Sequence, residues 1–158
     1  SSDVCSSDLF ERIVALLPMF VPQFTREQLL RTFEVLTKRR LGSERLFNNY
    51  IYMQIERQIY KFTGEQYCRL LRTLGNKGYQ EDRVFWKDYI FDYVRVDEKG
   101  NSKGNFSKDD AVRMWDLLVL LKIQLPLLDV DEPMSNLVRY IPDQKLPQTT
   151  GEPEEQTQ

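Results

Sequence analysis

Apolar residues fall three and four apart in three stretches of this chain. Leu29, Leu30, Phe33 and Leu36 form the first set, Tyr67, Cys68, Leu71 and Leu74 the second, and Ala111, Val112, Trp115 and Leu118 the third. That spacing puts each set on one face of an α-helix, here called helix A of a unit. A second series follows in the first two stretches, Phe47, Ile51 and Ile55, then Phe85, Tyr89 and Tyr93. These i, i+4, i+8 positions also share a face and predict a partner helix B.

Each helix A opens on the same phrase. Phe24-Thr25-Arg26-Glu27-Gln28, Phe62-Thr63-Gly64-Glu65-Gln66 and Phe106-Ser107-Lys108-Asp109-Asp110 start 38 and then 44 residues apart. Thr25, Thr63 or Ser107 caps the first turn, and Gln28, Gln66 or Asp110 reaches back from three residues on. The aromatic before the cap has hydrophobic-staple spacing to Leu29, Tyr67 or Ala111. Cations at Arg39-Arg40 suit the end of the first helix A, and Gly75-Asn76-Lys77-Gly78 permits a left-handed stop to the second. A helix pair recurring at roughly 38 residues cannot bury both its faces alone and must stack on its neighbours. The expected fold is therefore all-α, an α-solenoid of stacked helix-turn-helix repeats.

The expected boundaries follow from this register. Residues 10–23 are a half unit, 24–61 and 62–105 are full units, and 106–141 is a divergent one. Phe10 to Met19 corresponds to a helix B of an earlier unit, with Pro18 and Pro22 expected to stop it early. In the divergent unit a new helix is expected from Pro133 through Leu137, Tyr140 and Ile141, capped by Asp131. The acidic stretch 142–158, dominated by Pro, Gln, Thr, Gly and Glu, is expected to be disordered. Residues 1–9 nearly repeat Ser-Ser-Asp and resemble the translation of a sequencing adapter, so they are expected to be a non-native leader.

Charge changes the picture more than composition does. The net charge is −2, yet residues 10–123 carry a balance of +5 and residues 124–158 one of −5. Arg31, Arg69 and Arg113 occupy one repeat position, each four residues after an acid (Glu27, Glu65 and Asp109). They read either as surface ion pairs or as a guanidinium ladder able to meet phosphates. Lys38, Arg39, Arg40, Arg72 and Lys77 complete the candidate RNA-binding set, with Arg45 and Arg83 near the turns. Tyr50, Tyr52, Tyr60 and Tyr79 could stack on bases, although core packing is the default for aromatics at this spacing.

Other chemistry is sparse. The chain has no histidine, which removes imidazole-based zinc ligation and Ser-His or Cys-His nucleophile pairs. Cys5 and Cys68 do not make a disulfide framework, and Cys68 lies on the apolar stripe of a helix A. The loop 97–110 faintly resembles a calcium-binding loop, but Lys99 and Lys103 would stand where a dication needs oxygen ligands. No stretch approaches the ~20 apolar residues of a membrane span. No cofactor, metal site or catalytic group is expected.

The opening Phe-Thr-x-Glu-Gln at 24–28 and 62–66, with the run from Thr73 to Trp86 leading into helix B, resembles organellar repeat families with units of about 38 residues. These are the octotricopeptide and heptatricopeptide arrays and the related repeats of FAST-kinase-like proteins. The resemblance covers residues 10–123. It implies a mitochondrial or plastid location and a part in organellar RNA metabolism or ribosome assembly. RNA binding is the first expectation, and a non-catalytic scaffold or accessory subunit of a large organellar complex is the alternative.

Overall fold

All three predicted capping boxes form. The Thr25 hydroxyl accepts the Gln28 N–H at 3.1 Å, and the Gln28 side chain accepts the Thr25 N–H at 3.0 Å. Thr63 and Gln66, and Ser107 and Asp110, repeat the exchange. The computed structural model describes residues 2–141, and side chains from residue 8 onward. The acidic segment 142–158 lies outside the described residues. Seven α-helices run in the order α1 (Ser2–Phe20), α2 (Arg26–Arg39), α3 (Glu44–Leu46), α4 (Tyr52–Gln58), α5 (Gly64–Lys77), α6 (Lys108–Gln124) and α7 (Asp131–Tyr140). The described residues contain no strand, only two isolated bridges, Thr63 with Asn105 and Val96 with Ser102.

Backbone features recur 38 residues apart in the first two stretches. A 3-10 turn leads into each of the first two caps, Val21–Gln23 and Ile59–Lys61. The first two A helices then stop on a left-handed residue, Arg40 (φ 57°) and Gly78 (φ 79°), whereas the residue that caps α6, Leu125, has φ −124°. Leu41 and Tyr79, next in the chain, close back onto the carbonyls of Leu36 and Leu74. Each helix B begins its buried stretch with a π-helical segment, Phe47–Ile51 and Phe85–Ile90. The first joins α3 to α4 without a break, and the second passes into the 3-10 turn Phe91–Val94.

The residue before each cap has a common environment as well. Its carbonyl accepts a side-chain hydrogen bond from the far end of the same unit: Phe24 from Gln58 Nε2 (3.4 Å), Phe62 from the Tyr93 hydroxyl (2.6 Å), Phe106 from the Tyr140 hydroxyl (3.1 Å). Phe62 and Phe106 are buried, and Phe24 is half-buried. The A helices pack in chain order, α2 on α5 and α5 on α6, while α7 covers α6 and the turn Phe91–Val94. One continuous apolar core runs from Val21 to Ile141.

Some expectations need correction. Pro18 does not end its helix, and α1 continues to Phe20. Proline costs a helix one N–H bond and crowds the carbonyl four residues back, and α1 continues past it for two residues. The helix begins at Ser2, which leaves the expectation that residues 1–9 are a non-native leader untouched. Asp131 is not a cap but the first helical residue. Val130 precedes it without a capping side chain, and Asp129 Oδ1 accepts the Asp131 N–H at 3.0 Å.

The longer connection after Val94 is built on Tyr93. Gly104 N–H donates to the Tyr93 carbonyl at 2.8 Å, and a Cβ on Gly104 would lie 2.5 Å from Cζ of that ring. The loop's acid is used locally, since Asp97 Oδ1 accepts the Lys99 and Asn101 N–H groups at 2.9 and 2.8 Å. Lys103 Nζ reaches Asp92 at 3.0 Å. No group of three potential metal ligands occurs among the described residues.

Candidate functional site

The guanidinium ladder is not uniform. Arg31 is three-quarters exposed and pairs with Glu27 at 2.7 Å, as its spacing predicts. Arg69, in contrast, turns away from Glu65 and lies across the seam between α5 and α2. It binds Glu27 at 2.9 Å and Glu34 at 2.6 Å, and only 23% of its side chain remains exposed. The carboxylate of Glu34, hydrogen-bonded to it, raises the Arg69 pKa and fixes its charge, with Glu27 adding to the effect. Arg113 pairs with Asp110, one residue beyond the expected acid, and stays exposed.

The remaining candidate cations divide in the same way. Lys38, Arg40 and Arg72 are exposed. The Arg39 guanidinium sits 4.7 Å from the centre of the Phe10 ring, and Lys77 Nζ 3.9 Å from that of Phe47. Of the candidate base-stacking aromatics, Tyr52 is buried, Tyr50 and Tyr79 are half-buried, and Tyr60 hydrogen-bonds Asp92 through its hydroxyl. Cys68 is buried, and burial pushes its thiol up to about 11.

Two surfaces were not visible as sites in the sequence. The first is α1. Val14 and Leu17 pack on the core, yet Leu9, Ile13, Leu16 and Phe20 form a second apolar stripe, 47–59% exposed, with Met19 beside it at 67%. A helix apolar on both sides is the pattern of a buried helix, so this stripe is a surface left without a cover.

The second is a groove of about 590 Å³ between the first unit's α3–α4 and the α5–π connection of the next. Phe47, Tyr52 and Tyr79 line it, with Tyr79 stacked on Tyr52 at 4.1 Å. Glu44, Glu56, Glu81 and Asp82 stand around them with Lys77 as the lone cation of the lining. Tyr52 is 3% exposed and its hydroxyl has no hydrogen-bond partner among the described residues. Burial raises the Tyr52 pKa, followed by the charges of Tyr79 and Glu81. The Glu56 carboxyl is likewise raised, by burial and then by Asp82.

Residues 44–56 and 77–82 are not neighbours in sequence. Only the pairing of one unit's helix B with the next unit's turn brings their carboxylates together. No helix among the described residues is long and apolar enough to cross a membrane. No protein-family model, curated protein or solved structure matches the chain.

Proposed function

We propose that this chain is a non-catalytic helical-repeat module that docks another protein, as a scaffold or accessory component of a larger assembly. The exposed second stripe of α1 carries the reading. Four large apolar side chains in one helical row, on a helix already packed by its other side, make a surface suited to a protein partner. The repeating caps, left-handed stops and π segments, with α2, α5 and α6 packed in order, support a short α-solenoid that presents this stripe at one end. The resemblance to organellar repeat arrays supports a mitochondrial or plastid assembly.

Binding to RNA is the second reading. The exposed run Lys38, Arg39 and Arg40, with Arg31, Arg72 and Arg113, favours it. Against it weighs the seam position of Arg69, whose charge is already committed to two carboxylates.

Affinity purification of the tagged chain after nuclease treatment separates the two. Protein docking predicts a defined, nuclease-resistant partner set that Ile13→Glu with Leu16→Glu abolishes while the fold is kept. A partner set lost to nuclease, together with RNA affinity that falls steeply as salt rises, would replace this reading with the other.

A further inference from the structure

We infer that the groove between the first and second full units is a binding site for a basic, extended peptide segment of a protein partner, which places a lysine side chain among its carboxylates and aromatic rings. Charge is the first argument. Glu44, Glu56, Glu81 and Asp82 line the groove against Lys77 alone, and none of the four forms an ion pair among the described residues. Like charges so arranged are relieved by an incoming cation.

The unpartnered Tyr52 hydroxyl is a second, independent argument. A buried hydroxyl without a partner is costly, and Tyr52 is among the residues that line the groove, so a ligand N–H donor that reached its hydroxyl would relieve that cost. The third argument is a precedent inside the molecule. The ammonium of Lys77 already lies 3.9 Å from the Phe47 ring centre, so these walls hold a lysine head group on an aromatic face. Met53 on the rim and the half-buried Tyr79 suit an aliphatic stem, and about 590 Å³ leaves room for flanking peptide. A nucleic-acid backbone would meet carboxylates here and be repelled.

The inference rests on the protein-docking reading but names a different surface from the α1 stripe, so the two fail separately. The test is a titration of the isotope-labelled chain with the capped peptide Gly-Ser-Lys-Gly-Ser-Lys-Gly-Ser at low salt, followed by amide chemical shifts. The expected response is confined to Asn48, Met53, Gly78 and Glu81 and weakens as salt rises. Glu44→Gln with Glu56→Gln should lower affinity about tenfold, and Tyr52→Phe about threefold.

The circular dichroism spectrum checks that each variant folds. If the double variant does not fold, Glu81→Gln with Tyr52→Phe takes its place with the same expectation. Four results overturn the proposal: no shifts in the groove, affinity unchanged in the variants, an equal response to the peptide with glutamate for lysine, or an equal response to spermidine, which would mark a general cation sink. If peptide binding fails while partner capture still depends on Ile13 and Leu16, the groove is wrong and the docking reading stands.

Discussion

Replacing Gly104 by alanine tests whether the Tyr93 ring holds the second unit closed. The substitution would ordinarily stabilise by about 0.4–1 kcal/mol, because alanine restricts the unfolded chain. Here the added methyl would lie 2.5 Å from Tyr93 Cζ and 2.6 Å from both Cδ carbons. The ring cannot easily yield. Tyr67 stacks on it at 4.1 Å, Phe106 lies at 5.6 Å, and its hydroxyl donates to the Phe62 carbonyl at 2.6 Å. Overpacking of this kind costs about 1–3 kcal/mol. Pulling the hydroxyl off a buried carbonyl adds about 1–3 kcal/mol. The net expectation is a loss of roughly 2–4 kcal/mol, a fall in Tm of about 5–15 °C for a domain of this size. Urea and thermal unfolding by circular dichroism measure it. Tyr93→Leu in the same background should recover part of the loss, giving a coupling above about 1 kcal/mol in a double-mutant cycle. A Gly104→Ala protein as stable as the parent would refute the steric argument and the role assigned to the ring.

Other outcomes follow from the same geometry. Arg40→Gly should raise stability by about 0.5–1 kcal/mol in denaturant unfolding, because the left-handed φ of 57° suits glycine and strains arginine. Arg69→Ala should cost roughly 1 kcal/mol, since it removes the one cation of α5 that ties Glu27 and Glu34 of α2 across the seam, whereas the exposed Arg31→Ala should change unfolding by under about 0.5 kcal/mol. Glu27 is held low chiefly by its hydrogen bond from Arg31. Asp92 and Asp110 are also low, because bonds from Tyr60 and Lys103, and from Ser107 and Arg113, outweigh their burial. The unfolded chain then binds more protons than the folded one in acid, so their contribution is complete above the ordinary carboxylate range and disappears as pH falls through the depressed folded values. Unfolding midpoints measured from pH 6 downward should decline accordingly. With Cys5→Ser leaving one thiol, Cys68 should resist iodoacetamide at pH 8 in the folded protein and react in denaturant, because burial holds the thiol near 11.

What the sequence displayed well was local. Thr25 with Gln28, Thr63 with Gln66 and Ser107 with Asp110 are three residues apart, so the chemistry that starts each helix is written in one short phrase. The left-handed stop at Gly78 was legible for the same reason. The π segments were not, because Phe47–Ile51 and Phe85–Ile90 differ from α-helix in main-chain bonding and not in residue type. The arginine register was legible as a spacing only. Arg69 finds its acids 35 and 42 residues away, across a seam that exists only once α5 lies on α2. The groove was hidden by the same distance, since its carboxylates come from two units. The α1 stripe could have been found by asking whether Leu9, Ile13, Leu16 and Phe20 make a second face beside Val14 and Leu17.

The carbonyl latches differ along the chain in a way that bears on how the molecule breathes. Tyr93 and Tyr140 secure theirs at 2.6 and 3.1 Å, and a ladder of rings from Tyr67 through Tyr93 and Phe106 to Tyr140 joins them. Gln58 closes the first unit with a longer amide contact of 3.4 Å and no ring of its own. Transient opening is therefore expected to start at the Gln58 latch, with slower amide exchange where Tyr93 and Tyr140 close their units. The helix that bears the uncovered stripe lies on the amino-terminal side of that latch, so capture of a partner there should also slow exchange around it.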